Sequence, residues 1–143
     1  MEQLANDVYE DESKYPLLSR IDKKYYPHFY RALGAALATF DLKYGYICNK
    51  VNKRYLADFY EGRGRTLLDG FMFSDCTAEE LVRLINTVER KYRRAIYKGI
   101  GGELASAIKA EPANIIFWQR LKDKLPAECK KYCEIGCKKQ NAL

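Results

Sequence analysis

Apolar residues recur at intervals of three and four along most of the chain, with charged residues between them. This is the pattern of helices that bury one face. It predicts an all-α fold, a compact bundle of about five to seven helices in a single domain spanning residues 1–143. Residues 1–14 hold five acidic groups against one Lys and read as a mobile acidic arm, although Leu4 and Val8 could line a short helix. Tyr15-Pro16 and Tyr26-Pro27 mark breaks, because a residue before proline is pushed out of the helical region. Residues 15–98 form the expected helical core. Its first helix starts at Pro27 and carries Phe29, Leu33, Ala36, Leu37 and Phe40, while Gly34, Ala35, Ala36 and Ala38 admit a close neighbour.

A second helix is expected over residues 50–60, with Val51, Tyr55, Leu56 and Phe59 inward and Lys53 and Arg54 outward. Glu61-Gly-Arg-Gly-Arg65 reads as the loop that ends it, and residues 66–73 as a short helix or a buried loop. Thr77-Ala-Glu-Glu80 is a capping box ahead of Leu81, Leu84, Ile85, Val88, Tyr92 and Ile96, so one helix of about twenty residues is expected up to Gly99. Residues 99–102, with three glycines, read as a hinge.

Residues 103–139 carry the most suggestive pattern. Leu104, Ala105 and Ile108 share one helix face, Lys109-Ala-Glu111 interrupts the run, and Pro112 opens a new helix on which Ile115 and Trp118 face the same way. The stretch Glu103-Leu-Ala-Ser-Ala-Ile through Pro112-Ala-Asn-Ile-Ile-Phe-Trp-Gln-Arg resembles the helix-turn-helix of phage Cro and CI-type repressors. The likeness continues into the basic flank and Pro126-Ala-Glu128, so that it spans about residues 102–135. It implies a small DNA-binding regulator of viral or mobile-element type, acting as a homodimer on duplex DNA. On that resemblance the helix from Pro112 enters the major groove with Glu111, Ala113, Ile116, Phe117 and Arg120 toward the bases, Lys109, Arg120, Lys122 and Lys124 meet phosphates, and Asn114 is a further nucleic-acid-binding candidate. Read from the residues alone, the same stretch is equally a buried helical hairpin, or an apolar and basic surface of a non-catalytic adaptor or inhibitor that docks on an acidic protein partner. The direction of Ile116 and Phe117 separates these readings.

Charge sharpens the picture. Residues 1–89 hold 12 Lys and Arg against 14 Asp and Glu, and residues 90–143 hold 13 against 5, so the whole excess of +6 comes from the last third. Arg90, Arg93 and Arg94 add to the candidate nucleic-acid surface, since clustered basic residues meet phosphate backbones. The length of 143 residues suffices to bury roughly two thirds of the unfolded surface, and twelve Tyr and six Phe supply an ordered core. The acidic start is unlike a signal peptide and no apolar run reaches about 18 residues. An intracellular, cytoplasmic protein without membrane contact is expected.

Catalytic patterns do not emerge. His28 is the single histidine and reads as a helix-end surface residue, and the Gly-Arg-Gly-Arg loop matches no phosphate-binding fingerprint. A protein that is not an enzyme, with no cofactor, is expected. Five cysteines in an intracellular chain read as reduced thiols. Cys129, Cys133 and Cys137 recur at four and could join Cys48 or Cys76 in a thiolate metal site. Against this stand the lack of a Cys-x-x-Cys pair and Gly136, which is expected to end the helix before Cys137; core or surface thiols are the preferred reading.

Overall fold

The computed structural model describes residues 1–36, 50–72 and 77–142, the side chains of Glu12 and Phe117 excepted. Leu37, Ala38, Phe40, Cys48, Phe73 and Cys76 therefore lie outside the described residues. Every element described is helical, as the spacing predicts. The α-helices are α1 (Glu2–Glu10), α2 (Tyr26–Ala36), α3 (Leu56–Met72), α4 (Ala78–Ile85), α5 (Arg90–Ala110), α6 (Ile115–Lys124) and α7 (Ala127–Asn141). Short 3-10 turns precede α2, α3 and α6.

Four of these helices, α2, α3, α5 and α7, run parallel and pack in succession, each on the next. Two glycine notches hold each interface. At the α3–α5 contact, a Cβ on Gly64 would overlap the carbonyl oxygen of Ile96 and lie 2.9 Å from its carbon. In return, a Cβ on Gly99 would overlap the carbonyl oxygen of Glu61. The α2–α3 contact repeats this with Gly34 on Phe59 and Gly62 on Arg31, and the α5–α7 contact with Gly101 on Cys133 and Gly136 on Lys98. Backbones this close gain Cα–H···O contacts and dispersion that a side chain would prevent.

The reciprocal notches reflect an internal repeat. Val51, Val88 and Leu125 follow at intervals of 37 residues, as do Phe59, Ile96 and Cys133, and Gly62, Gly99 and Gly136. Ile21, ahead of α2, and Phe29 and Gly34, within it, hold the corresponding places 30 residues ahead of Val51, Phe59 and Gly64. Phe29, Phe59, Ile96 and Cys133 are all fully buried, and Val51, Val88 and Leu125 nearly so. The described residues thus form a short stack of helical units, in which each long helix packs chiefly on the next. Lys138 stands on α7 where Gly34, Gly64 and Gly101 stand on the earlier helices, and it is exposed.

The stack curves. Arg65 of α3 donates to Gln140 of α7 at 3.0 Å, and Lys139 of α7 donates to Glu61 of α3 at 3.0 Å, so both bonds reach across the intervening α5. At this level α5 carries Gly102, where a Cβ would lie 3.6 Å from the Arg65 guanidinium, an ordinary contact. Glu61 also meets Arg31 at 3.2 Å, which in turn donates to Asp58. Burial outweighs Arg31 at Asp58 and raises that carboxyl above its ordinary range.

Several expectations are corrected here. Residues 1–14 are not a free arm, because Ala5 and Val8 of α1 are buried against the stack. Glu61-Gly-Arg-Gly-Arg65 is the middle of α3, which continues to Met72; Arg63 is fully buried and donates to Gly34 O at 3.3 Å. Residues 99–102 are no hinge but the buried middle of α5. Gly136 likewise lies inside α7. Glycine costs about 1 kcal/mol in a helix interior relative to Ala, and the close approach of neighbouring backbones offsets that cost. The helix expected from Thr77 to Gly99 is two helices. The capping box is present, with Thr77 N donating to Glu80 at 2.7 Å and Glu80 N to Thr77 Oγ1 at 3.2 Å, but α4 ends at Ile85.

Candidate nucleic-acid interface

The repeat places a basic pair at the start of each of three long helices: Lys23-Lys24 before α2, Lys53-Arg54 before α3, and Arg90-Lys91 opening α5. The residue before each pair sets its geometry. Asp22 accepts a hydrogen bond from Lys24 N at 3.0 Å, and Asn52 accepts one from Arg54 N at 3.0 Å, fixing the turn and pointing the basic side chains outward. Glu89 holds the third place. All six basic side chains are exposed. Because the notches give each interface the same register, the three pairs form one row along the helix-start edge of the stack.

A tyrosine follows each pair. Lys24 Nζ lies 4.9 Å from the Tyr25 ring centroid, Arg54 5.8 Å from that of Tyr55, and Lys91 4.9 Å from that of Tyr92. Tyr55 stacks on Tyr30 of the preceding unit at 5.0 Å, and Tyr92 on Tyr60 at 5.2 Å. In the last unit the place of this tyrosine falls to Cys129, whose thiol shares a hydrogen bond with Tyr97. The row holds six basic groups against Asp22 and Glu89, which pair with Lys24 at 3.4 Å and Lys91 at 3.1 Å. The Glu89 hydrogen bond raises the Lys91 pKa, which favours the charged form of that ammonium. At α7 the row stops, since Ala127-Glu128 replaces the basic pair.

The residues expected from the sequence are divided by the fold. Arg90 belongs to the row. Arg93 is committed to backbone, its guanidinium donating to Val88 O and Asn86 O at 2.8 Å each, which closes the end of α4. Arg94 meets Glu128 at 3.7 Å and lies over Tyr132. Lys109 is exposed at the far end of α5, about 28 Å along the helix from Arg90 at 1.5 Å per residue. The structure therefore does not bring Arg90, Arg93 and Arg94 together with Lys109. Asn114 is turned inward, donating to Ala107 O at 2.9 Å, and tethers the α5–α6 connection. Arg120, Lys122 and Lys124 are exposed on α6, with Lys124 3.9 Å from Glu79. Ile115 and Ile116 are exposed, Trp118 is half-buried, and the side chain of Phe117 lies outside the described residues. The helix, turn and helix of residues 103–124 form the junction between one unit of the stack and the next.

Cys129, Cys133 and Cys137 occupy packing positions on α7. Cys133 is fully buried and Cys137 Sγ donates to Gly101 O at 2.9 Å. Burial raises all three thiols above their ordinary range, which keeps them protonated. Among the described residues no helix is long and apolar enough to cross a membrane. Comparison with family models, curated proteins and solved structures finds no match.

Lys23, Lys24, Lys53, Arg54 and Lys91 escape a reading based on motifs because each pair alone is an ordinary solvated helix start. The signal that unites them is the repeat: Val51-Asn-Lys-Arg-Tyr and Val88-Glu-Arg-Lys-Tyr are related by 37 residues, and Ile21-Asp-Lys-Lys-Tyr precedes them.

Proposed function

We propose that this chain is a non-catalytic nucleic-acid-binding protein that holds the phosphate backbone along the helix-start edge of its stack. The observation that supports this is the recurrence of an exposed basic pair at the same place in three neighbouring parallel helices. Such a row offers a backbone several charge contacts at once, and each phosphate neutralised releases counterions. The test is fluorescence anisotropy with labelled mixed-sequence oligonucleotides, on the parent and on Lys53→Ala with Arg54→Ala. Binding that weakens steeply between about 50 and 200 mM salt, and that the double substitution weakens further, supports the proposal. No binding at low salt removes it.

A second reading, an adaptor that docks on a protein partner, is favoured by one observation. Ile115 and Ile116 lie exposed side by side at the start of α6, at 45% and 54%. Ile116→Lys abolishes partner capture on that reading and leaves oligonucleotide binding unchanged.

A further inference from the structure

The tyrosine series has an unfilled first place. Tyr55 and Tyr92 each stack on the tyrosine of the preceding unit, at interplanar angles of 13° and 27°. Tyr25 holds the same place at the start of α2, which among the described elements is preceded by α1 and a 3-10 helix, Glu12–Arg20. Among the described residues it stacks on no ring, and it is 44% exposed with Lys24 beside it. It thus sits at one end of the basic row as an aromatic surface next to a cation.

We infer that the row takes a single strand of nucleic acid, with an unpaired base stacking on Tyr25 as the strand's phosphates follow Lys23-Lys24, Lys53-Arg54 and Arg90-Lys91. This rests on the nucleic-acid reading above and narrows its ligand. Two features favour one strand over a duplex. An aromatic ring beside a basic track is the combination that binds unpaired bases, whose faces a duplex keeps covered. The track is one basic pair wide, and with helix axes about 8–10 Å apart its three stations extend over about 20 Å, roughly six nucleotides at about 3.4 Å along one strand.

The experiment compares three probes by anisotropy on the full chain: unstructured single strands of graded length, duplexes of the same sequences, and anionic phospholipid vesicles. Parent, Tyr25→Phe and Tyr25→Ala are titrated with each. Tyr25 is exposed, so neither substitution disturbs the core; circular dichroism confirms that. The inference predicts a single-strand preference of about tenfold or more, the scale of one stacked base, rising with length to about six nucleotides. Tyr25→Phe keeps it and Tyr25→Ala removes it, with duplex binding unchanged. Equal affinity for strand and duplex, untouched by Tyr25→Ala, overturns the single-strand inference while leaving the nucleic-acid reading in place. Binding to vesicles alone overturns both.

Discussion

Alanine at Gly64 is the sharpest perturbation of this architecture, because two effects of known sign oppose each other there. In a helix interior Gly→Ala is normally stabilising, by about 0.5–1 kcal/mol, through the unfolded chain's lost freedom. At Gly64 the new methyl would overlap the carbonyl oxygen of Ile96 and lie 2.9 Å from its carbon and 3.1 Å from Ile100 N. All three are backbone atoms, so no side chain can rotate away. Ordinary carbon–oxygen contact lies near 3.3–3.6 Å, so α3 and α5 must part by about 1 Å. Separation would loosen the buried contacts of Phe59, Ile96 and Ile100 as well, and overpacking of a rigid core costs about 1–3 kcal/mol. The net expectation is a loss of about 1–2 kcal/mol after the propensity gain. Gly102→Ala is the internal control, since its Cβ would meet the flexible Arg65 guanidinium at 3.6 Å, an ordinary contact. It should be neutral or stabilising by up to about 1 kcal/mol. Urea unfolding followed by circular dichroism gives both numbers from the midpoints. A Gly64→Ala variant at least as stable as the parent would refute the close-packed stack.

Two further substitutions probe the helix cap and the buried thiol. Thr77→Ala removes the oxygen that accepts from Glu80 N and should cost about 1 kcal/mol, read as a lowered urea midpoint; the Glu80 carboxyl is held below its ordinary range first by the Thr77 backbone N–H, which alanine keeps, and then by the Thr77 hydroxyl, so it should rise only part of the way toward normal in a carbon-13 NMR titration. Burial raises the Cys133 thiol in the folded state, so between the ordinary thiol pKa and the folded one the native chain holds the extra proton. That contribution is complete below the ordinary thiol range and is lost as pH rises above about 8.5; stability should fall more steeply with alkaline pH in the parent than in Cys133→Val, and equal slopes would contradict the assignment.

Helix content was legible because burial on one face leaves the three-and-four spacing that Phe29 and Leu33, or Leu81, Leu84 and Ile85, display. The Thr77 capping box was equally legible, since its partners are three residues apart. Gly62, Gly64, Gly99, Gly101 and Gly136 misled for a physical reason. Read locally, a glycine weakens a helix, whereas here it admits a neighbouring backbone more than thirty residues away in sequence. Only the interval between equivalent glycines carries that information. The candidate site followed the same pattern. The charge excess drew attention to residues 90–143, yet Lys23, Lys24, Lys53 and Arg54 come from the acidic two thirds of the chain and join Arg90 only through the stacking of α2, α3 and α5. Arg93 and Asn114 read as polar contact residues, and what commits them inward is a pair of helix ends whose carbonyls need donors.

On the proposed reading the helix-start row, rather than the basic flank of α6, carries nucleic-acid contact. The most direct test is the slope of binding affinity against salt for the parent, for Lys53→Ala with Arg54→Ala, and for Arg120→Ala with Lys122→Ala and Lys124→Ala. Each phosphate contact to a single strand contributes about 0.7 to that slope. Removing the Lys53-Arg54 station should lower the slope by about 1.4, while the α6 triple substitution should leave it near the parental value. A slope unchanged by the loss of Lys53 and Arg54 but collapsed by the α6 substitutions would contradict it and return the binding surface to residues 103–139.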